Sequence, residues 1–322
     1  MNSIKNITVI GCGRWGTFIA SHLTNAGFSV TLYGRKSSKN MQELLNTRQN
    51  TLMRLPDKLQ LSTDLSVALS CDVLIISIGS QQLRTLCGEL REIGFTNGTA
   101  VLCMKGLEIG TGKRLSVIVS EELGEQVHSA VWLGPGHVQD FCRGIPNCMV
   151  IDSEHEETKR MLVEAFSGKL IRFYYGQDML GNEVGAAAKN VIGIAAGLLD
   201  GIGLSPLKGA LMSRGTREIA RLIAALGGNE QSAWGLCHLG DYEATVFSPH
   251  SHNRAFGEAF AKGESFDALA EGYYTVRALN TLAAQYCVEL PICHTIEAVL
   301  YHGAPLREAL FSLFERSIKN EF

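Results

Sequence analysis

Gly11-Cys12-Gly13-Arg14-Trp15-Gly16 stands between the β-branched run Ile7-Thr8-Val9-Ile10 and an amphipathic stretch over 15–25 that stops at Gly27. Glycines spaced in this way mean little by themselves in a chain that holds 34 of them. Here the trio leaves a strand and opens a helix, which is the context such a loop requires. Gly11 permits the tight turn, Gly13 lets backbone approach a pyrophosphate, and Gly16 lets helix and strand close on each other. The helix start then offers N–H groups and a partial positive charge to phosphate. A plain glycine turn is the competing explanation, and the flanking strand and helix argue against it.

The pattern repeats beyond the loop. Apolar, β-branched runs at 29–33, 72–78, 100–103, 130–133, 147–151 and 171–174 alternate with helical periodicity, which predicts βαβ units and a parallel sheet wound on both faces. From about residue 181 the strands stop. Helices are expected at 181–200, 206–227, 229–238, 253–263, 265–287, 292–302 and 305–319. The expected architecture is therefore an α/β Rossmann-type N-terminal domain over 1–180, followed by an all-α C-terminal domain over 181–322. With 46% apolar and 19% charged residues, the chain has the composition of an ordinary globular protein. A net charge of −3 gives no electrostatic support to a nucleic-acid partner. No apolar run reaches the ~18 residues that a membrane span needs, so no membrane insertion is expected. Nine cysteines without a Cys-x-x-Cys pair read as reduced thiols, and the N-terminal residues show no signal-peptide pattern; together these predict a cytoplasmic protein.

Two further features bear on chemistry. The second strand ends Tyr33-Gly34-Arg35-Lys36, where an NAD-selective site usually carries an acid for the ribose 2′-hydroxyl. Arg35 and Lys36 are suited instead to a 2′-phosphate, so the expectation leans to NADPH, with NADH also accepted; a solvated basic turn is the plainer alternative. The stretch Glu183 to Gly197 is apolar nearly all round, and Lys189-Asn190 is the only polar interruption between 184 and 199. A lysine buried there, rather than snorkelling to solvent, is suited to proton transfer.

From here the chain resembles the soluble, bacterial-type NAD(P)-dependent glycerol-3-phosphate dehydrogenases along almost its whole length. The resemblance rests on the glycine loop with Trp15, Gly79-Ser80-Gln81, Met104-Lys105-Gly106-Leu107-Glu108, and the Gly185-to-Gly197 helix followed by Asp200-Gly201-Ile202-Gly203. Leu239-Gly240-Asp241, Ser248-Pro249-His250-Ser251-His252-Asn253-Arg254 and Glu271-Gly272 complete it. It implies reversible reduction of dihydroxyacetone phosphate to glycerol 3-phosphate, for glycerophospholipid synthesis, by a cytoplasmic homodimer. It implies Lys189 as proton donor and acceptor, with Lys105 adding charge where the alkoxide develops and Asp241 and Thr245 orienting Lys189. Substrate would be held by Lys105, Gly134, Gly136, Asn190, Thr245, Ser251, His252, Asn253 and Arg254. The nucleotide would meet Gly11, Gly13, Arg14, Trp15, Gly16, Arg35, Lys36, Ser80, Lys105, Val138, His252 and Glu271. No metal is implied; His250-Ser251-His252 lacks further ligands nearby in sequence.

Three positions depart from the family pattern. Gly136 stands where a serine is usual, within Gly134-Pro135-Gly136-His137-Val138. His252 replaces an arginine that would bridge phosphate groups, and Arg254 lies two residues away from that place. Arg14 replaces a small residue. These leave open a same-fold dehydrogenase of another small 2-oxo compound, or a nicotinamide-nucleotide-binding protein without turnover.

Overall fold

The computed structural model describes residues 4–318 and 320. In chain order the elements are β1 (Asn6–Ile10), α1 (Arg14–Asn25), β2 (Ser29–Tyr33), α2 (Lys39–Thr47), β3 (Gln60–Ser62), β4 (Val73–Ile76), α3 (Leu83–Glu92), β5 (Gly98–Leu102) and α4 (Leu115–Leu123). Then come β6 (Val127–Leu133), α5 (Val138–Cys142), β7 (Asn147–Asp152), α6 (Glu156–Phe166) and β8 (Ile171–Tyr175). The helical remainder is α7 (Met179–Gly201), α8 (Lys208–Ala225), α9 (His252–Lys262), α10 (Glu271–Gln285), α11 (Pro291–His302) and α12 (Leu306–Phe311).

One compact unit takes the described residues up to Lys105 together with Arg114–Met179; the other takes Gly106–Lys113 and the described residues from Leu180 onward. The first contains a single sheet ordered β3-β2-β1-β4-β5-β6-β7-β8. Its central strands are apolar on both faces, and Val9, Ile75 and Val101 are fully buried under the flanking helices. The expectation of a wholly parallel sheet fails at one seam: β7 runs antiparallel to β6, pairing Val131 with Asp152 and Leu133 with Val150. The connection over 134–146 carries only the five-residue α5, too little for an ordinary crossover, so the chain reverses there. The β3 edge strand also lay outside the sequence reading, because three residues reading Gln-Leu-Ser carry almost no strand signal.

The second unit is helical. Every residue from 181 to 199 is buried, as the apolar composition of that stretch requires. Among the described residues no helix is long and apolar enough to cross a membrane. Three helix expectations need correction. The segment expected at 229–238 is only a short 3-10 turn, Glu230–Trp234, capped by Asn229 and closed by Gly235. The helix expected from 265 begins at Glu271, since 265–270 are irregular. Of 305–319 only Leu306–Phe311 is α-helical, and residue 319 lies outside the described residues.

Candidate active site

Strand order reverses between β1 and β4, and in open α/β sheets ligands bind outside the carboxyl ends of the strands at such a point. The glycine loop sits there. Gly11 has φ +115°, and a Cβ on it would fall 2.0 Å from the Ser77 carbonyl oxygen at the end of β4. A Cβ on Gly16 would stand 1.9 Å from the Gly11 carbonyl oxygen. These two glycines lock the loop against the sheet. At Gly13 a Cβ would meet nothing within 4 Å, so backbone at this position faces open space. Gly13 is also the N-cap of α1, and no side chain caps the helix. An uncapped helix start beside an open glycine fits a dinucleotide pyrophosphate. Trp15 is half-buried, with its ring 5.5 Å from Phe18 and 5.9 Å from Phe141, so it packs the loop against the core. Arg14 is exposed.

Beyond β2, Arg35 and Lys36 are both exposed, and the Arg35 guanidinium donates to Gln82 Oε1 at 2.6 Å. Gln82 was not among the expected site residues. Ser80, buried, opens the 3-10 turn Ser80–Gln82, and its hydroxyl accepts from the Gln81 amide at 3.2 Å. Val138 is buried in the first turn of α5. Lys105 is half-buried and its Nζ donates to the Gly134 carbonyl at 2.7 Å, which ties the two together as a cation on a fixed peptide.

Gly136 has φ +147°, and a Cβ there would come within 2.4 Å of Phe141 Cε2. The Phe141 ring, stacked on Phe18 at 5.1 Å, fills the place that a serine side chain would start from. The departure from the family pattern at this position is therefore built into the packing.

In the helical unit, Lys189 on α7 meets a non-regular segment. Its Nζ donates to Thr245 Oγ1 at 2.7 Å and lies 3.0 Å from Asp241 Oδ2. The Thr245 hydroxyl in turn donates to the Asp241 carbonyl at 2.7 Å. The lysine side chain is 10% exposed and the aspartate 1%. Asp241 ends the 3-10 turn Leu239–Asp241, and Thr245 lies in the π-type turn Glu243–Phe247, a rare conformation that recurs at functional sites. The sequence reading treated this stretch only as a motif and missed the turn that folds it.

Glycines on α7 make the approach possible. A Cβ on Gly193 would strike Thr245 Cγ2 at 2.6 Å, and one on Gly197 would strike the Arg254 carbonyl oxygen at 2.0 Å. Asn253 is thereby brought across α7, donating to Asn190 Oδ1 at 3.0 Å and accepting from Gly272 N at 2.9 Å. Gly272 follows Glu271, the first residue of α10. Ser251 caps α9 by accepting from Arg254 N at 3.3 Å. His252, half-buried, has Nδ1 3.3 Å from the Leu269 carbonyl oxygen. The Arg254 guanidinium is engaged elsewhere: its Nε donates to Asp200 Oδ2 at 2.6 Å, and Nη2 lies 3.4 Å from Glu258. Lys208, a buried cation that the sequence reading passed over, shares Asp200 Oδ2 at 2.6 Å and also reaches the Val246 carbonyl at 3.2 Å. Burial pushes the Asp200 carboxyl up, and Lys208, Ser205 and Arg254 more than offset this, leaving it below the usual carboxylate range.

A glycine-loop dinucleotide unit in one chain with a helical unit holding a buried lysine–carboxylate pair defines the class, a nicotinamide-nucleotide-dependent dehydrogenase. Family models described as NAD-dependent glycerol-3-phosphate dehydrogenase N-terminus and C-terminus match residues 6–159 and 178–311. A glycerol-3-phosphate dehydrogenase [NAD(P)+] of Prosthecochloris aestuarii is 36% identical, covering 98% of this chain and 99% of that protein. The protein of the same name from Thioalkalivibrio sulfidiphilus is also 36% identical, covering 98% of each. The crystal structure of glycerol-3-phosphate dehydrogenase from Coxiella burnetii superposes with a TM-score of 0.90 at 28% identity, covering 97% of this chain and 99% of that one. The chain belongs to the NAD-dependent glycerol-3-phosphate dehydrogenase family.

Proposed function

We propose that the chain catalyses the reversible NAD(P)H-dependent reduction of dihydroxyacetone phosphate to sn-glycerol 3-phosphate. The observation that carries this reading is the buried Lys189 ammonium held by Asp241 and Thr245, in a chain of this family. NAD(P)H, when bound, supplies a hydride to the carbonyl carbon of the substrate. Lys189 Nζ gives a proton to the carbonyl oxygen as it becomes an alkoxide, and takes it back in the oxidation direction. Asp241 Oδ2 pairs with the ammonium at 3.0 Å, and Thr245 Oγ1 fixes its direction. Lys105 contributes positive charge against the developing oxyanion; such preorganised charge is commonly the largest catalytic contribution.

In this reading the α/β unit holds the nucleotide through Gly11, Gly13, Arg14, Gly16 and Ser80, with Arg35 and Lys36 at the ribose 2′ position favouring NADPH. The helical unit holds substrate through Asn190, Asn253 and the first turn of α9 at Ser251 and His252. Arg254, with its guanidinium on Asp200, shapes that turn from beneath. The protein works as a cytoplasmic homodimer. Its nine free thiols support the reducing location, the family resemblance supports the dimer, and light scattering on the purified chain tests the latter.

The test of the reaction is oxidation of NADPH and NADH with dihydroxyacetone phosphate beside unphosphorylated dihydroxyacetone. Turnover with the phosphorylated ketone alone is expected. Nucleotide binding with no turnover on either ketone overturns the substrate assignment.

A further inference from the structure

His238 and Tyr242 are the remaining buried polar side chains of the segment that carries Asp241 and Thr245, and nothing in the reaction uses them. Both are fully buried. His238 Nδ1 lies 2.7 Å from the carbonyl oxygen of Gly185, and His238 Nε2 lies 2.7 Å from the Tyr242 hydroxyl. A carbonyl only accepts, so Nδ1 carries the proton, Nε2 accepts, and Tyr242 donates. Gly185 stands one helical turn before Lys189 on α7, and Tyr242 directly follows Asp241. A Cβ on Gly185 would come within 3.0 Å of His238 Cβ, so the glycine is what lets the imidazole reach the helix. The Tyr242 carbonyl accepts from Thr245 N at 3.0 Å and Val246 N at 2.6 Å, making Tyr242 the residue from which the π-type turn starts.

We propose that His238 and Tyr242 are positioning residues: a neutral strut, Gly185 carbonyl to imidazole to phenol, that sets the Asp241–Thr245 segment against Lys189. The inference rests on the reaction proposed above. Two apolar side chains of similar size would fill the same space, and the net stability of buried hydrogen bonds over such a filling is small. What the hydrogen bonds add is direction. They fix the distance from the α7 backbone to the residue next to Asp241, and a displacement of about 1 Å in a catalytic group can lower rate by roughly 100-fold. Burial pushes His238 down to about 4 and the Tyr242 phenol upward, which keeps both links uncharged around neutrality.

The experiment compares the full-length enzyme with Tyr242→Phe and with the doubly apolar His238→Leu/Tyr242→Phe. Expected for Tyr242→Phe is a fall in kcat of about 10- to 100-fold, by the displacement argument, with KM for NADPH unchanged. The double variant, having no orphaned polar group, regains thermal stability while its kcat stays low. Recovery of kcat together with stability, or an unchanged kcat in both variants, overturns the proposal. A readout independent of turnover is the Lys189 Nζ resonance in 15N-lysine-labelled protein, assigned with Lys189→Arg. Its titration midpoint shifts in Tyr242→Phe if the strut sets the Lys189–Asp241 distance, and an unmoved midpoint overturns the strut whatever the substrate. Wild-type protein inactive on dihydroxyacetone phosphate but with a midpoint that shifts in the variant condemns the reaction and keeps the strut. If Tyr242→Phe does not fold, His238→Asn cuts the same link while keeping a donor to Gly185, and is read in the same way.

Discussion

The α/β unit and the helical unit build their candidate sites from different parts. In the first the work falls to backbone: two glycines on which a Cβ would fall 2.0 and 1.9 Å from peptide oxygens, a third facing open space, and an uncapped helix start. In the second it is ionisable side chains that enter the interior: Lys189, Asp241, Lys208, Glu218 and His238 are buried, and the Asp200 side chain is 9% exposed. A backbone cradle has no proton to lose and is damaged by added atoms. A buried network of side chains is damaged by removed atoms and by pH.

The largest expected effect lies in the helical unit. Lys189→Ala should lower kcat by about 10²- to 10⁴-fold, the usual span for a general acid, while titration with NADPH shows binding retained. A variant that keeps more than a few per cent of wild-type turnover removes Lys189 from the role.

The pH contrast comes next. Burial holds His238 down at about 4, far below its ordinary 6.5, so between those values the unfolded chain binds a proton that the folded chain refuses. Stability should fall as pH drops through this window by about 3 kcal/mol relative to His238→Asn, measured by denaturant unfolding. Glu218 tilts the opposite way. Buried on α8, its carboxylate accepts from Ile292 N at 2.8 Å and Cys293 N at 2.9 Å, and burial pushes it up to about 7. Wild type should therefore lose stability against Glu218→Gln as pH rises from about 4.5 to about 7, again by about 3 kcal/mol. Parallel slopes for wild type and both variants would mean that neither group titrates differently in the folded chain.

Gly16→Ala and Gly13→Ala sharpen the backbone side of the comparison. The first forces a methyl onto the Gly11 carbonyl and should cost about 1–3 kcal/mol of stability. The second enters open space, so thermal unfolding should stay put while NADPH affinity drops by about tenfold, equivalent to about 1.4 kcal/mol. Equal affinity in Gly13→Ala and wild type would place the pyrophosphate elsewhere. The smallest effect expected is for His252→Arg, which should lower KM for the phosphorylated substrate by about tenfold at most, as a charge-assisted contact is gained. An unchanged or higher KM would move the phosphate away from the first turn of α9.

What was legible in sequence follows the same division. The glycine loop is contiguous, so its geometry is written in six residues, and the all-buried α7 is written in its composition. The partners of Lys189 are not legible in that way. Thr245 lies 56 positions along, in a π-type turn that no periodicity marks, and only the family resemblance joined the two. Asp200 with Lys208 and Arg254, and Gly185 with His238, are likewise pairs made by packing. The reversal at β7 was missed for a related reason: apolar alternation marks a strand but not its direction. Arg35 was read beside Lys36 as suited to a 2′-phosphate, and its link to Gln82 becomes visible only once β2 lies near the start of α3.

The Phe141 ring beneath Gly136 has a consequence for how this loop can change. Two positions five apart cannot be varied independently, because a side chain at 136 has room only after the ring at 141 has shrunk. Single-site scans will score every substitution at 136 as damaging and Phe141→Leu as a simple loss of packing. Shrinking the ring removes the clash but not the backbone cost, since Gly136 stands at φ +147°, so the serine-bearing form needs position 136, the ring at 141 and the local backbone to change together.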